Sequence, residues 1–144
     1  MTNRRKKTIR TLIVEDSKFL IEGLAIIINA ETGMEIVGMA NTCAECLSLV
    51  RKENPDLVLL DIILNDENGI EIIPDLVNKT SSKVLIMTGI NDFAVYEDAM
   101  LQGVGGIVVK EDSSAVLLEA IKKVAAGEIW LSDTVRHRIS QPRL

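Results

Sequence analysis

The stretch Pro55-Asp56-Leu57-Val58-Leu59-Leu60-Asp61 decides the fold. Its aliphatic run is too short for a helical stripe and shows no polar alternation. A strand covered on both faces reads this way, and such strands belong to parallel sheets held between helices. This strand ends on a carboxylate. Just before it, Pro55 disfavours helical geometry at Asn54, so the preceding helix must stop there.

Working outward, four more runs share that character: Leu12-Ile13-Val14, Ile36-Val37, Val84-Leu85-Ile86-Met87 and Ile107-Val108-Val109. Helical patterns alternate with them. Ser17 is placed to cap a first helix carrying Leu20, Leu24, Ile27 and Ile28. Thr42 and Glu45 form a capping box for a second, with Leu47 and Val50 behind them. A third, weaker helix is expected over residues 69–78, with Pro74 inside it as a cost or a kink. Asp92 opens a fourth that ends near Gly103. Ser113 or Ser114 opens a fifth, which closes at Gly127.

The order is (βα)₅, an α/β chain. Right-handed crossovers place helices on both faces of one sheet. A doubly wound, flavodoxin-like, five-stranded parallel sheet in the order 2-1-3-4-5 is the expected architecture. After Gly127, Ile129-Trp130-Leu131 can pack onto the domain, and a short helix can follow from Ser132 or Asp133 through Ile139.

A chain of 144 residues suits one domain with its own core. Apolar residues make up 47%, which excludes a disordered chain, but aromatics only 3%, so the core must be aliphatic. The net charge of −5 argues against nucleic-acid binding by this domain itself. Arg4-Arg5-Lys6-Lys7 reads as a solvated basic leader. The apolar stretch behind it is short and stops at Glu15-Asp16, so neither a signal peptide nor a membrane span is expected. Cys43 and Cys46 are spaced C-x-x-C. A redox pair is weighed against two reduced thiols one helical turn apart, and the second reading is preferred. With His137 as the only histidine, a structural zinc site is not expected.

Ligands of open α/β sheets bind outside the carboxyl ends of the strands. Glu15-Asp16, Asp61, Thr88-Gly89 and Lys110 all stand there. Any one of them alone is an ordinary cap, turn residue or solvated charge. Together they are three carboxylates, a hydroxyl and an ammonium on one rim. Clustered carboxylates repel unless a cation sits among them, and all-oxygen ligands favour Mg²⁺. Asp61 can then serve as a carboxylate nucleophile toward phosphorus. Lys110 would neutralise charge on the transferred group, and Thr88 would hydrogen-bond one of its oxygens.

Leu12-Ile13-Val14-Glu15-Asp16-Ser17, the Asp61 stretch, Met87-Thr88-Gly89 and Val109-Lys110 resemble the motifs of a two-component response-regulator receiver domain. The resemblance spans residues 8–127. It leaves residues 1–7 as a basic flexible leader and 128–144 as a C-terminal extension or linker. It implies that Asp61 is the phosphorylated residue, Asp16 a direct Mg²⁺ ligand, and Glu15 a ligand through water. It also implies that the backbone carbonyl of Ile63 is the third protein ligand, and that Thr88 and Lys110 are the switch hydroxyl and phosphate-binding lysine. The implied partners are a histidine kinase or phosphotransfer protein, and a second copy of the chain once phosphorylated. The implied location is the cytoplasm. A receiver is not an enzyme in the usual sense, since it catalyses only its own phosphotransfer and dephosphorylation.

Two positions depart from the pattern. The switch aromatic of the family usually stands three residues before the lysine, where this chain has Ile107. Many receivers have proline after the lysine, where this chain has Glu111, so a cis peptide there is not expected. Glu111 and the segment 119–132 are similar to regulators that carry a LuxR-type DNA-binding domain. The chain therefore reads as the receiver part of a longer transcription regulator that touches DNA only through that further domain. A stand-alone or degenerate receiver acting as an interaction module is the alternative. A haloacid-dehalogenase-like phosphatase also uses a strand-end Asp and Mg²⁺. It would need a second acid two residues on, where Ile63 stands. A nucleotide-binding site would need a glycine-rich loop in place of Glu15-Asp16-Ser17-Lys18.

Overall fold

The computed structural model describes residues 8–140; the basic leader lies outside them. The main sheet holds β1 (Ile9–Val14), β2 (Met34–Ala40), β3 (Leu57–Leu60), β6 (Lys83–Thr88), β7 (Gly106–Val109) and β8 (Trp130–Leu131), all parallel. Their spatial order is β2-β1-β3-β6-β7-β8. Two short strands, β4 (Ile63–Leu64) and β5 (Glu67–Asn68), form a separate antiparallel hairpin after β3. The helices are α1 (Lys18–Ala30), α2 (Cys43–Glu53), α3 (Ile73–Lys79), α4 (Phe93–Leu101), α5 (Ser114–Ala125) and α6 (Asp133–Ser140).

The five aliphatic runs form the first five strands of the sheet, in the expected neighbour order. Period-two alternation then sorts their side chains between two cores. Leu12, Val14, Val58, Leu60, Ile86, Ile107 and Val109 face one side, with α2, α3, α4 and α6. Ile13, Leu57, Leu59, Leu85, Met87 and Val108 face the other, with α1 and α5. The caps hold these helices in place. The Ser17, Thr42, Asp92 and Ser113 side chains each accept a backbone N–H from the first turn of α1, α2, α4 and α5. Asn54 closes α2 in the left-handed region at φ 46°, a conformation Asn tolerates.

Two expectations need correction. The sheet has six strands rather than five, because Trp130–Leu131 pairs with Gly106 and Ile107 along the outer edge of β7. The Trp130 N–H donates to the Gly105 carbonyl at 2.9 Å, and the Ser132 N–H to that of Ile107 at 3.2 Å. A two-residue strand carries no periodicity, so only its β-bonding partner reveals it. Nor does Pro74 kink a helix. Residues Gly69–Ile72 form a 3₁₀ turn, and the α-helix begins at Ile73. Pro74 therefore lies in the first turn, where its missing N–H has no intrahelical acceptor to lose.

Gly106 makes the sixth strand possible. A Cβ there would collide with the Trp130 carbonyl oxygen and come within 2.9 Å of a Val124 methyl. We expect Gly106→Ala to lower stability by about 1–3 kcal/mol, the usual cost of overpacking. Gly23→Ala, inside α1 with nothing within 4 Å of the new methyl, should instead raise it by up to about 1 kcal/mol. Urea midpoints of the two variants check the opposite signs.

Candidate functional site

Strand order brings the ends of β1, β3, β6 and β7 side by side, and the predicted side chains meet on that rim. Glu15 follows β1 and is 1% exposed. Its Oε2 accepts the N–H groups of Asp16 and Ser17, each at 2.9 Å, which fixes the carboxylate over the start of α1. Asp61 follows β3 and is 2% exposed. Its Oδ1 accepts the Ile63 N–H at 3.1 Å and its Oδ2 accepts from Lys110 Nζ at 2.8 Å. Lys110 Nζ also lies 3.3 Å from Glu15 Oε1.

One ammonium thus faces two nearly inaccessible carboxylates. Burial pulls the Lys110 pKa down, but the hydrogen bond to Asp61 and the charges of Asp61 and Glu15 outweigh it. The net shift is upward, so Lys110 holds its proton across the neutral range. Asp16, half-buried, completes the acidic group. Glu15, Asp16 and Asp61 each offer an oxygen, and these oxygens lie within 4.8 Å of one another.

Whether these residues suit a cation is answered by the donor set. All are hard oxygen ligands, and one ammonium leaves their negative charge in surplus. Glu15 Oε1 is buried and makes no aligned hydrogen bond, its contact with Lys110 being an ion pair only. It has lone pairs to give. The residues therefore fit a divalent cation of the Mg²⁺ type.

The remaining predicted positions sit differently. Thr88 ends β6 and is fully buried. Its Oγ1 accepts the Ile90 N–H at 3.0 Å, within its own loop. The Ile63 side chain is 54% exposed beside Asp61. Ile107 is fully buried among the residues facing α4 and α6, below the rim rather than on it. No cis peptide occurs among the described residues.

Two supporting residues escaped sequence reasoning. Gly69 lets the β4–β5 hairpin fold back over the Asp61 strand end. A Cβ on it would fall 2.6 Å from the Asp61 carbonyl oxygen. Asp112 accepts the Val109 N–H at 2.9 Å and shapes the turn from which Lys110 projects. Asp two residues past a strand-end lysine is an ordinary turn signal, and Gly69 looks like any loop glycine. A cleft lies at the opposite end of the strands, where β6 and β7 begin. It measures about 330 Å³ and is lined by residues such as Ser82, Lys83, Gly105 and Glu128. It is remote from the acidic rim.

The C-x-x-C pair sits on α2 as free, buried thiols. Burial pushes Cys46 up to about 12, with a smaller contribution from Cys43. Burial and then the charge of Glu67 also raise Cys43. Redox work needs a thiolate near neutral pH, and both are shifted the wrong way.

Among the described residues, no helix is long and apolar enough to cross a membrane. A family model described as the response regulator receiver domain matches residues 11–122. The DNA-binding transcriptional activator DevR/DosR of Mycobacterium tuberculosis is 32% identical over 126 residues, covering 87% of this chain and 58% of the relative. The transcriptional regulatory protein DesR of Bacillus subtilis is 31% identical, covering 83% and 60% respectively. The chain thus spans about three fifths of the length of these relatives. A LuxR-family two-component response regulator from Aurantimonas sp. SI85-9A1 superposes with a TM-score of 0.87 at 28% identity, covering 93% of this chain and 96% of that one.

The thiol chemistry is open to a direct check. In the native protein at pH 8, Cys43 and Cys46 should react with a thiol reagent at least about tenfold more slowly than in denaturant, since only the thiolate attacks. A disulfide-exchange absorbance trace reads this, and rapid native labelling would contradict the assignment.

Proposed function

This chain belongs to the response regulator receiver domain family, and on that premise we propose that it is a phosphorylation-activated switch whose acceptor is Asp61. The observation that carries the reading is the 2.8 Å contact between Asp61 Oδ2 and Lys110 Nζ inside a cluster of three carboxylates. A carboxylate held at a strand end by a single ammonium is fixed in place on the rim.

The phosphoryl donor is the phosphohistidine of a histidine kinase or phosphotransfer protein. An Asp61 carboxylate oxygen attacks phosphorus, the P–N bond to the imidazole breaks, and an acyl phosphate forms on Asp61. The imidazole leaves with the electron pair and takes up a proton. Lys110 stays bound to the acceptor and offsets the charge that arrives. The Thr88 hydroxyl turns toward a phosphoryl oxygen once one is present. Mg²⁺ supplies neutralisation of the phosphoryl oxygens. Asp16 and Asp61 would hold it directly, Glu15 through water, and the Ile63 carbonyl would complete the protein's share.

The phosphorylated side chain carries about −1.5 to −2 charges in place of the carboxylate's single one, at a site built around one cation. The loops after β3 and β6 rearrange to meet them, and a population shift follows. The chain catalyses only its own phosphotransfer and hydrolysis. Its output is dimerisation and control of a DNA-binding domain elsewhere in the full-length cytoplasmic regulator, in keeping with the transcription regulators it resembles.

Incubation with a small phosphodonor and Mg²⁺ should add a phosphoryl group to the wild-type chain and none to Asp61→Asn, read by intact mass. An adduct on both would move the acceptor elsewhere. Lifetime is governed nearby. Ile63 is exposed beside Asp61, whereas Ile90 is half-buried and packed against the core, so Ile63 is the better position to probe. Ile63→Asn should speed loss of the adduct roughly threefold or more, a barrier change of about 0.7 kcal/mol, by admitting water. An unchanged decay rate would show that Ile63 does not shield the acyl phosphate.

A further inference from the structure

Ile107 leaves the strand without the ring that the family places there. The same apolar cluster nevertheless contains an aromatic residue. Tyr96 stands on α4, is fully buried, and shares that cluster with Ile107, Ala99 and Val135. Its hydroxyl donates to the Ile90 carbonyl at 2.6 Å. The Ile90 N–H in turn donates to Thr88 Oγ1 at 3.0 Å. One loop residue is therefore tied by its amide to the end of β6 and by its carbonyl to a buried ring.

We infer that Tyr96 is a positioning residue that couples the Thr88 hydroxyl to the face formed by α4 and α6. This rests on phosphorylation of Asp61 as proposed above, and it names the route by which that event leaves the site. When Thr88 swings its hydroxyl toward a phosphoryl oxygen, Oγ1 moves away from the Ile90 N–H. The amide follows its acceptor or loses it, and in both cases the Ile90 carbonyl shifts. The Tyr96 hydroxyl donates to that carbonyl, so a shift of the carbonyl is passed to the ring.

The far end of the route is the C-terminal segment. Val135 of α6 is fully buried in the cluster that holds Tyr96, and Leu131 and Ile139 pack against it. α6 lies on both α4 and β7. Displacing the ring therefore changes the seat of α6 and the pairing of β8, just after which the Ser132 N–H is held by the Ile107 carbonyl. Ile107 is the passive wall of this cluster, and the moving aromatic comes from the helix opposite.

The chain carries its own reporter, because Trp130 in β8 is its single tryptophan. Wild-type protein and Tyr96→Phe are treated with acetyl phosphate and Mg²⁺. Three readings are taken together: intact mass, Trp130 emission, and hydrogen exchange at the amides of Ser132 and Arg136. The Phe variant keeps the ring and should melt cooperatively and take the same phosphoryl adduct. Its phosphorylation-induced change at Trp130 and α6 should be at least about twofold smaller than wild type, the lower end expected for a residue on a coupling path.

Equal changes in both proteins at equal adduct would overturn the inference and leave Tyr96 as filler. An adduct on the wild type with no change at Trp130 or α6 would also overturn it, with the phosphoacceptor reading intact. No adduct on the wild type would sink both at the first step, so the two failures are told apart by mass alone.

Discussion

Burying like charges beside one another is what this domain must solve, and Lys110 is how it does so. Glu15 and Asp61 are both nearly inaccessible, and desolvated carboxylates at this separation are unfavourable without a counter-charge. A single ammonium reaching both makes the rim tolerable but leaves negative charge over. Everything else serves that arrangement. The strand order sets β1, β3 and β7 close enough for one lysine to span the acids, and the Asp112 turn aims it. A site left with surplus negative charge suits a further cation, and with that cation bound it could bear the negative charge of a phosphoryl group.

Much of this was legible in the chain. Continuous aliphatic runs marked β1, β3, β6 and β7, because burial on both faces removes polar residues from a strand. Thr42-x-x-Glu45 and Ser113 marked helix starts, because an orphaned N–H needs a nearby oxygen. The rim residues were legible because parallel strands all end on the same edge. Other features left no such mark. β8 and the β4–β5 hairpin are two residues per strand, below any detectable period. Pro74 looked like a helix breaker because the 3₁₀ turn ahead of it could not be foreseen. The tether from Tyr96 to Ile90 depends on how α4 lies on the sheet, and nothing local announces it.

The two-sided sorting of side chains also separates duties. Thr88 opens onto a loop whose contacts run to α4, and α4, α6 and Ile107 share one core with α2 and α3. The core beneath α1 and α5 is built from the alternate residues of the same strands. A rearrangement around Ile90 thus acts first on the face that holds α4 and α6, and it reaches Trp130, which packs on the opposite face, only through the pairing of β8 with β7.

The sixth strand has a bearing on how the domain behaves in company. The outer edge of β7 would otherwise offer the carbonyls of Gly105 and Ile107 to any passing extended chain. Unpaired parallel edges of this kind are templates for self-association. Trp130 and Leu131 occupy that edge and close it within the same molecule. A shorter chain ending at Gly127 would keep the acidic rim whole and yet lose its protection against sticking to its neighbours. Cover for the edge of β7 is thus written into a segment that carries none of the rim's chemistry.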